Sequence, residues 1–244
     1  MSQTAIVTGA SRGIGRETAR QLAAAGWRVM IHYHTSKEYA ETLCRQLTGL
    51  GADADLFGAD LSDSKQAQKL IDATQHRFGR IDLLVNNAGI AQQKLLTDLT
   101  DEDWQAMLQT NLSSVFYCCR AALPSMISRK KGKIINFSSI WGISGASCEV
   151  HYSAAKAGVI GFTKALAKEV GPSGIQVNCI APGVIDTEMN SRLTQETLEA
   201  LKEETPLERI GTPNDVAQCV LFLAGAGGDF MTGQVLSPNG GIVI

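Results

Sequence analysis

The chain of 244 residues lacks several features that would direct it to particular partners or compartments. Its net charge is −2, so no overall positive field favours nucleic acid or an anionic membrane as a partner. No apolar run approaches the ~18 residues that a membrane helix needs. Residues 1–7 contain no basic segment before an apolar stretch, which predicts that no secretory signal is present.

Paired cysteines are also missing. None of the six cysteines forms a Cys-x-x-Cys pair, and no histidine cluster has zinc-ligand spacing. This pattern predicts six reduced thiols that pack as small apolar residues in a cytoplasmic protein, and it predicts no metal site.

Proline is absent from the first half of the chain, and the first of the six prolines is Pro124. Apolar strand patterns, such as 28–33, 81–85, 133–137 and 175–180, alternate with helical patterns. Alternation of this kind implies parallel strands joined by right-handed crossovers. The sequence therefore predicts one α/β domain over residues 1–244, a Rossmann-type doubly wound parallel sheet of about seven strands with helices on both faces.

Glycine is abundant, with 24 residues, and three of them lie between the first strand and the first helix. Gly9 would permit a tight turn, Gly13 a close approach to a pyrophosphate, and Gly15 close packing of the helix on the sheet. The spacing Gly-x3-Gly-x-Gly differs from the Gly-x-Gly-x2-Gly fingerprint, and a plain tight turn is the alternative. The position between a strand and a helix favours the binding of a dinucleotide.

Four motifs in register carry a resemblance to a known family. They are TGASRGIG at 8–15, NNAG at 86–89, YSAAK at 152–156 and PG at 182–183. Together they resemble the short-chain dehydrogenase/reductase family over essentially the whole chain, and within it the 3-oxoacyl-(acyl-carrier-protein) reductases. The resemblance implies an NADPH-dependent carbonyl reductase of fatty acid synthesis, usually a homotetramer.

The expected catalytic residues are Asn111, Ser139, Tyr152 and Lys156. Tyr152 and Lys156 are four residues apart and share one helix face, where the ammonium should lower the pKa of the phenol. Ser139 would polarise the carbonyl oxygen of the substrate while Tyr152 protonates it, and Ser138 should face away. The resemblance implies that Asn111 binds a water molecule that connects Lys156 to solvent. The alternative is that Asn111 is a buried asparagine at a helix kink.

The expected cofactor is NADP(H). The resemblance implies contacts from the glycine loop, from the end of the fourth strand, from residues near the adenine, from the nicotinamide loop and from the catalytic pair. These residues are Gly9, Ser11, Arg12, Gly13, Ile14, Gly15, Asp60, Leu61, Asn87, Ala88, Gly89, Tyr152, Lys156, Pro182, Gly183, Ile185 and Thr187. Residues 32–36 contain no acid for a ribose 2′-hydroxyl, whereas Arg12 could pair with a 2′-phosphate. His34 is a further phosphate candidate.

The substrate wall is expected between Ser139 and Tyr152, with Trp141 and Glu149 as further substrate-binding residues. A carboxylate and an indole could hold a cationic substrate, and the stretch resembles the elongation factor P 5-aminopentanone reductases. Alternatively, Glu149 is a charge at a helix N-terminus and Trp141 serves packing.

Three further expectations concern partners and motion. The basic residues Arg129, Lys130 and Lys131 could dock an acidic carrier protein or could simply end a helix. Residues 186–204 are polar and are expected to form a substrate lid. A catalytically silent dinucleotide-binding module on the same fold is the rival to an enzyme.

Overall fold

The computed structural model describes residues 2–190 and 194–244. The strands within these ranges are β1 (Thr4–Val7), β2 (Arg28–Tyr33), β3 (Ala54–Gly58), β4 (Leu83–Asn86), β5 (Gly132–Phe137), β6 (Ile175–Ile180) and β7 (Val235–Leu236). The α-helices are α1 (Gly13–Ala24), α2 (Lys37–Gly49), α3 (Ser64–Phe78), α4 (Asp101–Leu108), α5 (Ser114–Arg129), α6 (Trp141–Ser144), α7 (Val150–Val170), α8 (Gln195–Glu204) and α9 (Pro213–Ala224).

The seven strands form one parallel sheet in the order β3-β2-β1-β4-β5-β6-β7. The order reverses between β1 and β4. Ala5 of β1 pairs with Val29 of β2 on one side and with Leu83 of β4 on the other. In doubly wound sheets the crevice at such a switch point is where ligands bind, at the carboxyl ends of the strands. The predicted α/β fold with about seven strands is confirmed.

Helices cover both faces of the sheet and enclose two apolar cores. Helices α1, α2 and α9 pack on one face, where Leu22, Leu43 and Val220 are buried. Helices α3, α5 and α7 pack on the other face. The strands β1 and β4 are buried along their whole length, which explains why they are almost continuously apolar in sequence.

Residues 101–129 contain α4 and α5, joined without a break by a π-helical turn, Gln109–Ser113. The last strand is short, because only Val235 and Leu236 pair with β6. In the described parts of the chain, no helix is both long enough and apolar enough to cross a membrane.

Candidate active site

A cavity lies at the carboxyl ends of β1, β4, β5 and β6. Most of the expected catalytic and nicotinamide residues line it, whereas Trp141 and Glu149 lie outside its lining. The lining residues are Ile14, Asn87, Gly89, Ile90, Asn111, Phe137, Ser138, Ser139, Tyr152, Lys156, Pro182, Gly183, Ile185, Thr187 and Asn190.

The glycine loop between β1 and α1 has the shape that a dinucleotide phosphate requires. Gly9 has a φ of +63°, and a Cβ there would lie 2.9 Å from the Cα of Ala88. A Cβ at Gly15 would collide with the carbonyl oxygen of Gly9 and the side-chain amide of Asn87. Because α1 begins at Gly13, the N–H groups of its first turn have no intrahelical acceptor and can receive an anion.

Thr8 and Asn87 hold the glycine loop against the end of β4. The Thr8 hydroxyl oxygen accepts hydrogen bonds from the backbone N–H groups of Asn87 and Ala88, both at 2.9 Å. The Asn87 side-chain amide donates to the carbonyl oxygens of Thr8 and Gly9. Asn87 and Ala88 therefore shape the loop itself, and Thr8 is a structural partner that was not singled out from the sequence.

The far end of the groove carries the residues expected near the adenosine. Arg12 and His34 are exposed, and His34 Nε2 lies 3.9 Å from a carboxylate oxygen of Asp60. Burial opposes the ionisation of Asp60, but hydrogen bonds from Ser62 outweigh it and lower the pKa of the carboxyl group. The Leu61 side chain is buried in the core, so only its backbone is available to a ligand.

Tyr152 and Ser139 meet where β5 faces the start of α7. Burial raises the pKa of the Tyr152 hydroxyl to about 12, a hydrogen bond with Ser139 acts in the opposite direction, and the nearby Glu149 carboxylate raises it further. The Ser139 hydroxyl oxygen also accepts a hydrogen bond from the N–H of Trp141 at 3.2 Å. The resting protein thus keeps Tyr152 as a neutral phenol at physiological pH.

Lys156 is almost completely buried, and its Nζ donates a hydrogen bond to the carbonyl oxygen of Phe137 at 2.9 Å. Burial lowers the pKa of its ammonium group to about 8. Nζ lies 5.7 Å from the centroid of the Tyr152 ring. The pKa of Tyr152 is not depressed as the spacing from Lys156 predicts, because burial of the phenol is the largest effect and raises it.

Just beyond the end of β5, Ser138 continues the pairing with β6, since its N–H donates to the carbonyl oxygen of Ile180 at 2.8 Å. The residue borders the cavity, and its hydroxyl donates to the carbonyl oxygen of Lys156 at 2.8 Å. The bond ties α7 to β5 next to the catalytic pair.

Asn111 lies fully buried in the π-helical turn, and its side chain binds the backbone of Ile90. Its Oδ1 accepts from the N–H of Ile90 at 3.1 Å and its Nδ2 donates to the carbonyl oxygen of Ile90 at 3.0 Å. A Cβ at Gly89 would lie 2.5 Å from this Oδ1 and 3.4 Å from Lys156 Nζ. Gly89 thus leaves open the space that separates Asn111 from Lys156. Both interpretations of Asn111, a kink residue and a site residue, agree with this geometry.

A chain of buried amides lies beneath the cavity. Asn86 on β4 donates to the side-chain oxygen of Asn136 on β5, and Asn136 donates to the Thr163 hydroxyl on α7, both at 2.9 Å. All three side chains are buried, so these bonds join two strands and the catalytic helix in a low-dielectric interior.

The expected substrate wall is held by contacts between the start of α7 and the loop after β4. Glu149 is nearly buried and its Oε1 accepts a hydrogen bond from Gln93 at 3.2 Å. Burial raises the pKa of this carboxyl group. Glu149 occupies the N-cap position of α7 without capping it through its side chain, and Trp141 packs against the cluster that contains Tyr152. The packing interpretation of Trp141 is therefore the one that its contacts favour.

The nicotinamide end of the groove is formed by the loop after β6. Pro182 accepts a hydrogen bond from the N–H of Ile140 at 3.0 Å, and a Cβ at Gly183 would lie 2.8 Å from the Cα of Asn239. Ile185 is buried, while Thr187 faces the glycine loop, since a Cβ at Gly13 would lie 3.2 Å from its methyl group. The loop after β6 thus packs on Asn239 at Gly183 and approaches the glycine loop at Thr187.

The basic residues Arg129, Lys130 and Lys131 lie at the opposite edge of the sheet. Arg129 ends α5 and donates to the carbonyl oxygen of Ile81, which precedes β4. The run therefore does not border the cavity of its own chain, and the contact of Arg129 matches the helix-end interpretation.

Comparisons with known proteins agree with this geometry. The family model described as enoyl-(acyl carrier protein) reductase matches residues 9–243. The 3-oxoacyl-(acyl-carrier-protein) reductase FabG of Staphylococcus aureus is 41% identical over 242 residues, covering 99% of this chain and 98% of the relative. The 3-oxoacyl-(acyl-carrier-protein) reductase of Synechocystis is 42% identical over 244 residues, covering 100% and 98%.

A solved structure is similar over the same extent. It belongs to a protein of Agrobacterium tumefaciens whose assignment as a gluconate dehydrogenase is provisional. The TM-score is 0.95 at 35% identity, covering 99% of this chain and 97% of the other.

Proposed function

Because the chain belongs to the short-chain dehydrogenase/reductase family, whose members use a nicotinamide dinucleotide, we propose that it is an NADPH-dependent carbonyl reductase acting on 3-oxoacyl thioesters of acyl carrier protein. The observation that carries the reaction class is that Ser139, Tyr152 and Lys156 line one cavity together with Asn111. The names of the FabG relatives, at about 40% identity over the whole chain, support the substrate class.

Tyr152 supplies the proton in this proposal. With a pKa of about 12, its hydroxyl keeps its proton at physiological pH and can give it to the carbonyl oxygen as negative charge develops there. Ser139 donates to the same oxygen and holds it beside Tyr152. When bound, the nicotinamide supplies the hydride. A protonated phenol in this position can serve as the general acid of ketone reduction.

Lys156 and Asn111 would help to return a proton to Tyr152 after each reduction. The Lys156 ammonium, 5.7 Å from the Tyr152 ring centroid, stabilises the phenolate that remains after proton transfer. The opening left by Gly89 between Asn111 Oδ1 and Lys156 Nζ would hold the water that connects the ammonium to solvent. Asn111, Ser139, Tyr152 and Lys156 thereby act as one unit.

The residues of the groove would hold the dinucleotide along its length. The N-terminus of α1, with Gly9, Ser11, Gly13, Ile14 and Gly15, would receive the pyrophosphate. Asn87, Ala88, Asp60 and the Leu61 backbone would face the adenosine half. Gly89 would border the nicotinamide half, which Pro182, Gly183, Ile185 and Thr187 would orient.

The decisive experiment is an NADPH-oxidation assay of the purified chain with acetoacetyl-CoA and a 3-oxoacyl carrier protein. We expect turnover of both, with the carrier-bound substrate preferred. Crotonyl-CoA is the matched control, because the family model carries the name of an enoyl reductase. Turnover of crotonyl-CoA alone would reverse the proposal. Binding of NADPH without turnover of any ketone would identify a catalytically silent module.

The preference for NADPH over NADH rests on the end of β2. Residues 32–36 include no Asp or Glu, and the side chains of Arg12 and His34 are exposed. A guanidinium pairs well with a phosphate. Equal or better turnover with NADH would remove this part of the proposal.

An amino-ketone reductase is the second candidate, and the position of Glu149 favours it. Its carboxylate lies close enough to Tyr152 to raise the pKa of the phenol, and Gln93 is its hydrogen-bond partner. A negative charge that acts on Tyr152 would also attract an ammonium group on the substrate. The Glu149→Gln variant keeps the shape and removes the charge. A selective loss of kcat/KM for amino-ketones would support this candidate, whereas equal loss, or no loss, on both substrate classes would exclude it.

Residues 186–204 would close over the bound substrate as a lid. Thr187 and Asn190 line the cavity, and no side chain of α8 is buried, so this helix can move at little cost in packing. Residues 191–193 of the proposed lid lie outside the described residues. Slower hydrogen exchange over 194–204 in the presence of NADPH and substrate would support closure.

A cytoplasmic homotetramer is the proposed assembly. The exposed apolar side chains include Phe116 and Ile127 on α5 and Phe230 and Ile244 near the C-terminus, and each pair could contribute to a separate interface. The six free thiols suit a reducing compartment. Sedimentation velocity would determine the number of subunits.

A further inference from the structure

His32 is a buried histidine whose two ring nitrogens both bind backbone groups from other parts of the chain. Its Nδ1 accepts a hydrogen bond from the N–H of Gly9 at 3.1 Å. Its Nε2 lies 3.0 Å from the carbonyl oxygen of Ala59, which can only accept. The ring is therefore the neutral tautomer that carries its proton on Nε2. One side chain joins the glycine loop to the ends of β2 and β3.

The backbone of the same residue binds the next group of the loop. The carbonyl oxygen of His32 accepts a hydrogen bond from the N–H of Ala10 at 2.8 Å. Two consecutive N–H groups at the start of the glycine loop are thus directed to His32, and the loop is turned so that the following residues lead into α1. Thr8 and Asn87 hold the loop on its other side.

The surroundings keep the His32 ring neutral. Burial lowers its pKa to about 4, the bond to Ala59 and the Asp60 carboxylate act in the opposite direction, and His34 lowers it further. A protonated ring would direct an N–H from Nδ1 at the N–H of Gly9 and break the contact. The titratable groups that act on the ring are thus His34, directly after β2, and Asp60, after β3.

We propose that His32 is a positioning residue for the dinucleotide: its unprotonated Nδ1 fixes Gly9, and through Gly9 the loop that receives the phosphates. This inference rests on the use of a dinucleotide by the family and goes beyond the proposed substrate. It predicts that the acceptor at the Nδ1 position, rather than the bulk of the ring, determines cofactor affinity.

Two amide variants separate the two nitrogens. In His32→Asn the side-chain oxygen can reach the place of Nδ1, whereas in His32→Gln the amide group can reach only the place of Nε2. We expect the NADPH dissociation constant, measured by fluorescence titration without any ketone, to stay within about threefold of wild type in the Asn variant and to rise by about tenfold or more in the Gln variant. Hydrogen exchange of the Gly9 amide in the protein without cofactor should be faster only in the Gln variant.

Each outcome decides the proposal. NADPH affinity equal to that of wild type in both variants would overturn the proposal. An equal loss of NADPH affinity in both variants would also overturn it, since the ring would then act through Ala59 or through packing. Nitrogen chemical shifts of the wild-type imidazole provide a test that needs no variant, and a protonated Nδ1 at neutral pH would also overturn it. Because no substrate is present, failure here is distinct from failure of the proposed reductase activity.

Discussion

The side-chain oxygen of Asn111 lies where a side chain on Gly89 would have to go: a Cβ at residue 89 would be 2.5 Å from Asn111 Oδ1. A Cβ atom essentially never lies this close to a non-bonded heavy atom, so one of the two positions must change if the glycine is replaced. Asn111 cannot move easily, because both polar atoms of its amide bind the backbone of Ile90. The φ of Gly89 lies outside the left-handed region, so its backbone conformation does not require glycine. The lack of space for a Cβ does.

The Gly89→Ala variant should lose most of its activity. The new methyl group would displace Asn111 and fill the opening toward Lys156, so we expect kcat to fall by about tenfold to a hundredfold while the protein stays folded. Steady-state kinetics with NADPH and acetoacetyl-CoA measure the effect. Gly49→Ala is the control, since nothing lies within 4 Å of a Cβ there. Wild-type kcat in Gly89→Ala would contradict the assignment of a role to this opening.

Removal of the Tyr152 hydroxyl should abolish proton donation without preventing cofactor binding. We expect kcat/KM of Tyr152→Phe to fall by about 10²–10⁴-fold, the range typical of a lost general acid. NADPH affinity, measured by fluorescence, should change little, because the ring still fills its buried position. A comparable loss in affinity would indicate that the hydroxyl serves binding instead.

The buried ammonium of Lys156 should appear in the pH dependence of stability. Its pKa is about 8 in the folded chain and near 10.5 in the unfolded chain, so between these values the unfolded state binds more protons and folding stability rises with pH. Relative to Lys156→Met, the wild-type free energy of unfolding should increase by up to about 3 kcal/mol across that window. Urea unfolding at several pH values tests this, and parallel curves for the two proteins would refute it.

Arg12 should distinguish the two nicotinamide cofactors. If its guanidinium pairs with the 2′-phosphate, Arg12→Ala will raise the KM for NADPH by about tenfold and leave the KM for NADH nearly unchanged. Arg45→Ala is a matched control, because Arg45 is an exposed arginine on α2 whose guanidinium contacts Thr42 of the same helix. An equal effect on both cofactors would show that Arg12 does not recognise the phosphate.

His32 should make the protein sensitive to acid. Its pKa is about 4 when folded and near 6.5 when unfolded, so in this interval the unfolded state takes up a proton that the folded state rejects. The free energy of unfolding should therefore fall, by up to about 3 kcal/mol, as the pH decreases from 6.5 to 4. The loss should be smaller in His32→Asn. Identical acid profiles for the two proteins would mean that His32 does not titrate in this way.

The regular part of the fold could be read from the sequence because it depends on local patterns. β2 and β6 have the bounds that their apolar runs indicate. The glycine spacing and the Tyr–Lys spacing likewise depend on turns and helices that neighbouring residues determine. These features led to the cofactor groove and to the catalytic helix.

Contacts between distant segments could not be predicted in the same way. His32 meets Gly9 and Ala59 across 23 and 27 residues, and Gln93 meets Glu149 across 56. No local pattern marks such partners, because they depend on which strand ends become neighbours in the sheet. The pKa of Tyr152 is a similar case, since the spacing from Lys156 is visible in sequence while the burial that dominates it is not.

The bonds from Asn86 through Asn136 to Thr163 have a consequence for how the protein fails on heating. They couple β4, β5 and α7, so these elements should separate together rather than one after another. The catalytic helix would then keep its place until the whole sheet opens. Loss of turnover on heating should coincide with the melting of the fold, and a partly melted but inactive population should not accumulate.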